Sequence, residues 1–173
     1  MNKKVEKSLN KQLNIEHSAY FHYIDMSGTA EAMGLKGIGK WLRHQAYEEM
    51  EHMMKYYHYI LDRDGKIKFE MLKPANYSFK NVKDLFKQAL KNEEYVTQTT
   101  YKALEVAHKE KDHATIEFLQ WYVKEQVEEE AQMRDILNEL KILGKDSRSL
   151  YFLDKELGNK VNNFHDYKDE EDS

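Results

Sequence analysis

Four stretches of the chain place apolar residues at alternating steps of three and four, and a charged residue breaks each stripe near its middle. They read Leu9-Leu13-Glu16-Tyr20-Tyr23, Ile38-Leu42-Gln45-Glu49-His52-Tyr56-Tyr59, Val82-Phe86-Ala89-Glu93-Val96-Thr100-Ala103-Ala107 and Ile116-Leu119-Tyr122-Gln126-Glu129-Met133-Ile136-Leu140. The spacing is that of a helix face buried in a bundle. Glu49 and His52, at i and i+3, leave one face a single turn apart. A carboxylate or imidazole buried without a partner is costly. Four such interruptions at similar depth therefore demand that the bundle hold something cationic, or that ordered water satisfy the acids.

The breakers agree with long helices. One proline and seven glycines in 173 residues leave few interruptions. The spacing predicts a first helix from about Lys4 to the Met26–Thr29 region, with a further helical piece near Thr29–Met33. A second runs from about Gly37 to Asp62 and is closed by Asp64-Gly65. The short connection makes these two antiparallel neighbours. Lys66–Lys80 holds the only proline, Pro74, and reads as a crossover along the bundle, in which Ile67 and Phe69 alternate with lysines as an extended pairing segment. A third helix starts at an N-cap on Ser78 or Asn81 and reaches Lys109. Asp112 caps a fourth from His113 to Leu143, ended by Gly144, and Ser147–Leu157 forms a short amphipathic fifth. The fold class is an all-α four-helix bundle with a long crossover and a short C-terminal helix. Residues 1–157 form one domain, and residues 158–173 a polar tail, acidic at its end.

Composition narrows the function. A net charge of −4 gives no reason to expect nucleic acid. No apolar run is long enough for a membrane helix, and the lysine-rich start is unlike a signal peptide, so a soluble cytoplasmic protein is expected. The absence of cysteine excludes disulfides, thiolate metal sites and cysteine nucleophiles. Glu16, Glu49, His52, Glu93, Gln126 and Glu129 then remain as the interruptions of the inner stripes. Four carboxylates in one dry site repel and take up protons unless cations neutralise them. Oxygen-rich ligation with a single imidazole suits iron or manganese better than structural zinc, and Glu49 is placed to bridge two metals. Glu48, Glu125 and Glu128 lie beside the stripes and can form an outer metal site, whereas Glu130 reads as surface. Tyr23, two turns from Glu16, can hydrogen-bond a ligand carboxylate or supply an electron. Tyr20, Tyr56, Tyr59, Tyr122 and Trp121 read as core, and the remaining histidines, His44 among them, show no partner.

The segments Leu13-Asn14-Ile15-Glu16, Glu48-Glu49-Met50-Glu51-His52, Asn92-Glu93, Phe118-Leu119-Gln120-Trp121-Tyr122 and Glu125-Gln126-Val127-Glu128-Glu129-Glu130 resemble the prokaryotic non-haem ferritins, as does Leu150-Tyr151-Phe152-Leu153-Asp154. The match extends from about Leu9 to Leu157. The resemblance implies a ferritin-like di-iron fold and a ferroxidase centre with two irons per subunit. Glu16, Glu49 and His52 would hold one iron. Glu49, Glu93 and Glu129 would hold the other, with Gln126 close by and Tyr23 beside the centre. It implies a third iron site on Glu48, Glu125, Glu128 and Glu129, oxidation of Fe(II) by O2 or H2O2, and a twenty-four-subunit homo-oligomeric cage storing ferric mineral. Haem is not expected, because Met50 is also common in non-haem members. Glu128 follows Glu125 where a bacterioferritin has a second E-x-x-H, which argues against that relative. A non-storage di-metal oxidase is the alternative.

Overall fold

The computed structural model describes residues 1–72, 77–144 and 147–163. Its elements in chain order are α1 (Lys3–Ala32), α2 (Lys36–Asp62), α3 (Val82–Lys109), α4 (His113–Leu143) and α5 (Ser147–Lys160). The helix α1 packs along α2, α3 along α4 and α1 also on α3, while α5 lies mainly against α2. This is the expected four-helix bundle with a fifth C-terminal helix. The helical piece expected near Thr29–Met33 is the unbroken end of α1, which stops where Gly34 takes a φ of 82°. Pro74 and the acidic end of the tail lie outside the described residues.

Caps set the helix starts. Asn2, Asn81 and Asp112 accept from the backbone N–H of Lys4, Asp84 and Thr115 at 2.8, 3.0 and 3.1 Å. Leu35 precedes α2 and has no side chain for this task. Asp154 of α5 performs it instead: its buried Oδ1 accepts from Ile38 N–H at 2.8 Å. An acid also suits the positive end of the α2 dipole. The same crossing needs two glycines. A Cβ on Gly37 would overlap the Asp154 carbonyl oxygen, and one on Gly158 would stand 2.9 Å from Gly37 Cα. The helix α5 runs past the expected Leu157, and Leu153, Leu157 and Val161 are all buried. Each such side chain contributes about 1.5–3 kcal/mol by leaving water.

The crossover is held by α1 rather than by strand pairing. No strand forms among the described residues. The Asn10 amide donates to Lys66 O at 2.9 Å and accepts from Lys68 N at 2.6 Å. Asn14 does the same for Lys68 O and Glu70 N at 2.8 and 2.7 Å. Four residues of helix rise about 6.0 Å, close to the roughly 6.6 Å repeat of two extended residues. Two asparagines one turn apart can thus serve alternate residues of a passing chain. The expected pairing of Ile67 and Phe69 is corrected in this sense: the backbone finds side-chain amides, so no second strand is needed.

The apolar interior is in two parts. One contains Leu9, Leu13, Tyr56, Ala103, Leu119 and Tyr122. The other contains Met26, Ile38, Leu42, Phe86, Met133 and Leu157. Between them lies the layer of interrupting residues.

Two glycine substitutions separate the roles of α1 and α5. Gly28→Ala, with open space around the added methyl, should stabilise the protein by about 0.5–1 kcal/mol in denaturant unfolding. Gly37→Ala should lower the midpoint and expose α5 to limited proteolysis; an undisturbed α5 would contradict the close crossing.

Candidate metal centre

All six interrupting residues are buried: Glu16 and Glu93 at 0% exposure, Glu49 and Gln126 at 2%, His52 at 5% and Glu129 at 6%. One ligand atom from each of Glu16, Glu49 and His52 lies within 4.8 Å of the other two. Glu49 Oε2 and His52 Nδ1 stand 3.4 Å apart. Both of these atoms, together with both oxygens of Glu16 and Glu93 Oε2, have no hydrogen-bond partner. Buried polar atoms are normally paired. Five unpaired atoms in one layer describe a donor set aimed at a cation.

Electrostatics give the same reading. Burial, then the Glu49, Glu93 and Glu129 carboxylates, push Glu16 well above the ordinary carboxylate range. Burial and Glu49 push Glu93 up to about 8, against hydrogen bonds from Tyr23 and Gln126. Burial, with Glu93 and Glu49, pushes Glu129 up to about 9. Burial opposes charge on His52, but the adjacent Glu49 overrides it and raises the imidazole. Without cations, then, the layer holds protons; divalent ions would replace them.

The second group converges less tightly. Glu93 sits opposite Tyr23, whose hydroxyl donates to Glu93 Oε1. Glu129 is close enough to respond to Glu93 and Glu49, but the tight three-residue cluster is Glu16, Glu49 and His52. Among the residues expected at an outer site, Glu48 and Glu125 both raise Glu129. Glu48 is half-buried and lies 3.2 Å from His44 Nδ1, while Glu128 is exposed. His44, read as unpaired from the sequence, has that carboxylate one turn away. A cleft of about 330 Å³ lined by His44, Gln45, Glu48, Asp135 and Glu139 opens beside this group.

Tyr56, Tyr122 and Trp121, read as core, and further residues that the sequence did not single out also brace the centre. Tyr122 donates to the His52 carbonyl at 2.8 Å and stacks on Tyr56 at 4.1 Å. The Trp121 and His52 rings meet edge to face with centroids 5.3 Å apart. Gln12 donates to Thr100 Oγ1 at 2.8 Å, one turn from Glu16. Thr97 touches Gln126 and Glu130, one turn from Glu93. The signal for these was available: each lies four residues, or seven for Thr100, from a residue already singled out.

A four-helix bundle with buried carboxylates and one imidazole at mid-height, five of their polar atoms unpaired, has the donor set of a metal-binding helical protein. Comparison with known proteins makes the class specific. The family model for the ferritin-like domain matches residues 6–143. A bacterial non-heme ferritin of Staphylococcus aureus (strain MRSA252) is 36% identical over 161 residues, covering 93% of this chain and 97% of its own. A probable bacterial non-heme ferritin-like protein of Haemophilus influenzae is 33% identical over 159 residues, covering 92% and 96%. The open pore ferritin of Archaeoglobus fulgidus superposes with a TM-score of 0.90 at 38% identity, covering 91% of this chain and 96% of its own. The chain belongs to the ferritin family. Among the described residues, no helix is long and apolar enough to cross a membrane.

The raised carboxyls fix the sign of a pH effect. Groups with folded pKa values of about 8 and 9 against an ordinary value of 4.5 bind more protons in the folded state between those limits. Stability of the metal-free protein is then full below about pH 4.5 from these groups and falls as pH rises through 8 to 9. Thermal midpoints measured from pH 5 to 9 should decline without metal and flatten when Co(II) is supplied. A decline unaffected by Co(II) would remove the layer as a metal site.

Proposed function

We propose that this protein is an iron-storage ferritin that oxidises Fe(II) at a centre inside each bundle. The observation that carries the proposal is the Glu16, Glu49 and His52 cluster, buried and within mutual ligand distance, with unpaired donor atoms. In this reading Glu16, Glu49 and His52 take one ferrous ion. Glu49, Glu93 and Glu129 take the second, with Gln126 beside it. Glu49 is shared, which keeps the two ions at reacting distance. Two ferrous ions together supply the two electrons that reduce O2 to hydrogen peroxide, or hydrogen peroxide to water. The carboxylates favour the more highly charged ferric product. Tyr23 holds Glu93 by a hydrogen bond, and its burial supports a protonated phenol that can donate an electron with its proton.

Glu48, Glu125 and Glu128 form the outer position, and the cleft beside Glu48 offers ferric iron a path away from the centre. A closed homo-oligomeric shell of twenty-four chains would collect the product as mineral. The likeness to ferritins along more than nine-tenths of the chain supports storage over a free-standing di-metal oxidase. The protein works in the cytoplasm in this reading, without haem.

Aerobic Fe(II) loading followed by sizing tests the proposal. A large shell retaining far more iron than its buried ligands can hold is expected; a small oligomer with only a few irons per chain would leave the oxidase. Glu49→Ala should slow initial oxidation by more than roughly 100-fold, since even outer partners of metal ligands cost about 10–100-fold. His52→Ala should weaken the first ferrous position more than the second, read by anaerobic titration.

A further inference from the structure

The residues outside the second ligand group contain a hydrogen-bonding conflict. Thr97 Oγ1 lies 2.7 Å from Glu130 Oε1 and 3.0 Å from Gln126 Oε1. A hydroxyl has one proton and cannot donate to two oxygens at once. Glu130 is ion-paired, with Arg134 Nη1 at 2.8 Å from its other oxygen, so it only accepts. Gln126 can do either, because its amide has an accepting end and a donating end of nearly the same shape.

The amide therefore has two orientations. With its nitrogen inward it donates to Glu93, the arrangement in this structure. Its oxygen then competes with Glu130 for the Thr97 proton. With its oxygen inward, the nitrogen donates to Thr97 Oγ1, the Thr97 proton goes to Glu130, and every outer group is satisfied. The inward oxygen would meet the Glu93 carboxyl, to which the Gln126 amide donates in this structure. Two facing oxygens repel unless a shared proton or a cation lies between them, and the cation is the stronger bridge.

We propose that Thr97 is a positioning residue whose hydroxyl, backed by the Glu130–Arg134 pair, lets the Gln126 amide turn its oxygen into the centre when a cation occupies the position beside Glu93 and Glu129. This rests on the two-metal reading above and deepens it. Gln126 becomes a responsive ligand rather than a fixed one, and a half-buried threonine on α3 adjusts how tightly the second ion is held. The ion pair, partly exposed at Arg134, acts on the centre through two side chains without touching it.

Anaerobic Co(II) titration of the full-length metal-free protein, followed by visible absorption, separates the two binding steps. Wild-type protein should take up two ions per chain at the buried centre. Thr97→Val keeps the side-chain shape but removes the hydroxyl. It should weaken the second step about tenfold, the scale of one hydrogen bond in a charged network, and leave the first within about twofold. Thr97→Ser should restore the second step. Thr97→Ala, a hydroxyl-free variant that adds no bulk, should follow Thr97→Val and covers the case in which valine prevents folding. Equal weakening of both steps, unchanged binding, or failure of serine to rescue would overturn the relay while leaving the two-metal reading intact. A wild-type protein that binds fewer than two Co(II) per chain would overturn the two-metal reading and the relay together.

Discussion

Mutual repulsion among buried carboxylates at the middle of the bundle is the constraint on which the rest of the structure depends. Glu16, Glu93 and Glu129 are removed from water beside the buried Glu49, and burial together with the neighbouring carboxylates raises their affinity for protons. A core assembled only for stability would fill these positions with leucine or isoleucine. Here the apolar interior is divided into an upper and a lower cluster, and each must hold its part of four helices without the layer between. Large fully buried side chains occur in both, Tyr56 and Tyr122 on one side and Phe86, Met26 and Met133 on the other. The cost of the polar layer is offset by dense packing above and below it.

The bracing of the layer is as specific as its ligands. Tyr23 on α1 reaches Glu93 on α3, and Tyr122 on α4 reaches the His52 carbonyl on α2. These two hydrogen bonds tie the four helices in pairs at the depth of the site. Each phenol combines a large apolar body with one polar tip, the combination needed where core meets charge. A polar layer braced on rigid helices keeps its geometry.

The fifth helix and the crossover solve problems that the bundle itself creates. The start of α2 has a leucine where a cap is needed, and Asp154 supplies the acceptor from 116 positions later in the chain. The crossover must pass α1 without a sheet to pair with, and Asn10 and Asn14 provide the missing donors and acceptors. In both places a buried or half-buried backbone group is satisfied by a side chain from another element.

Much of this was legible in the sequence because helical periodicity is local. The stripes of α3 and α4 through Glu93 and Glu129 placed those residues inward, and both are buried. The caps at Asn81 and Asp112 and the glycine end of α4 follow from residue chemistry in the same way. What spacing alone could not decide is which side chain meets which across helices. Glu130 leaves the solvated face because Thr97 of another helix lies within reach, whereas the His44–Glu48 pair lies within α2 at a four-residue step the sequence already offered. Asn10 and Asn14 look like ordinary surface amides until the crossover passes beside them. The sequence by itself determined the helices, their inward faces and the residue types of the central layer, since these depend on a repeat of about 3.6 residues. Only the tertiary structure decided the pairings, the unpaired atoms and the docking of α5, because those depend on helix orientation in three dimensions, which no local repeat encodes.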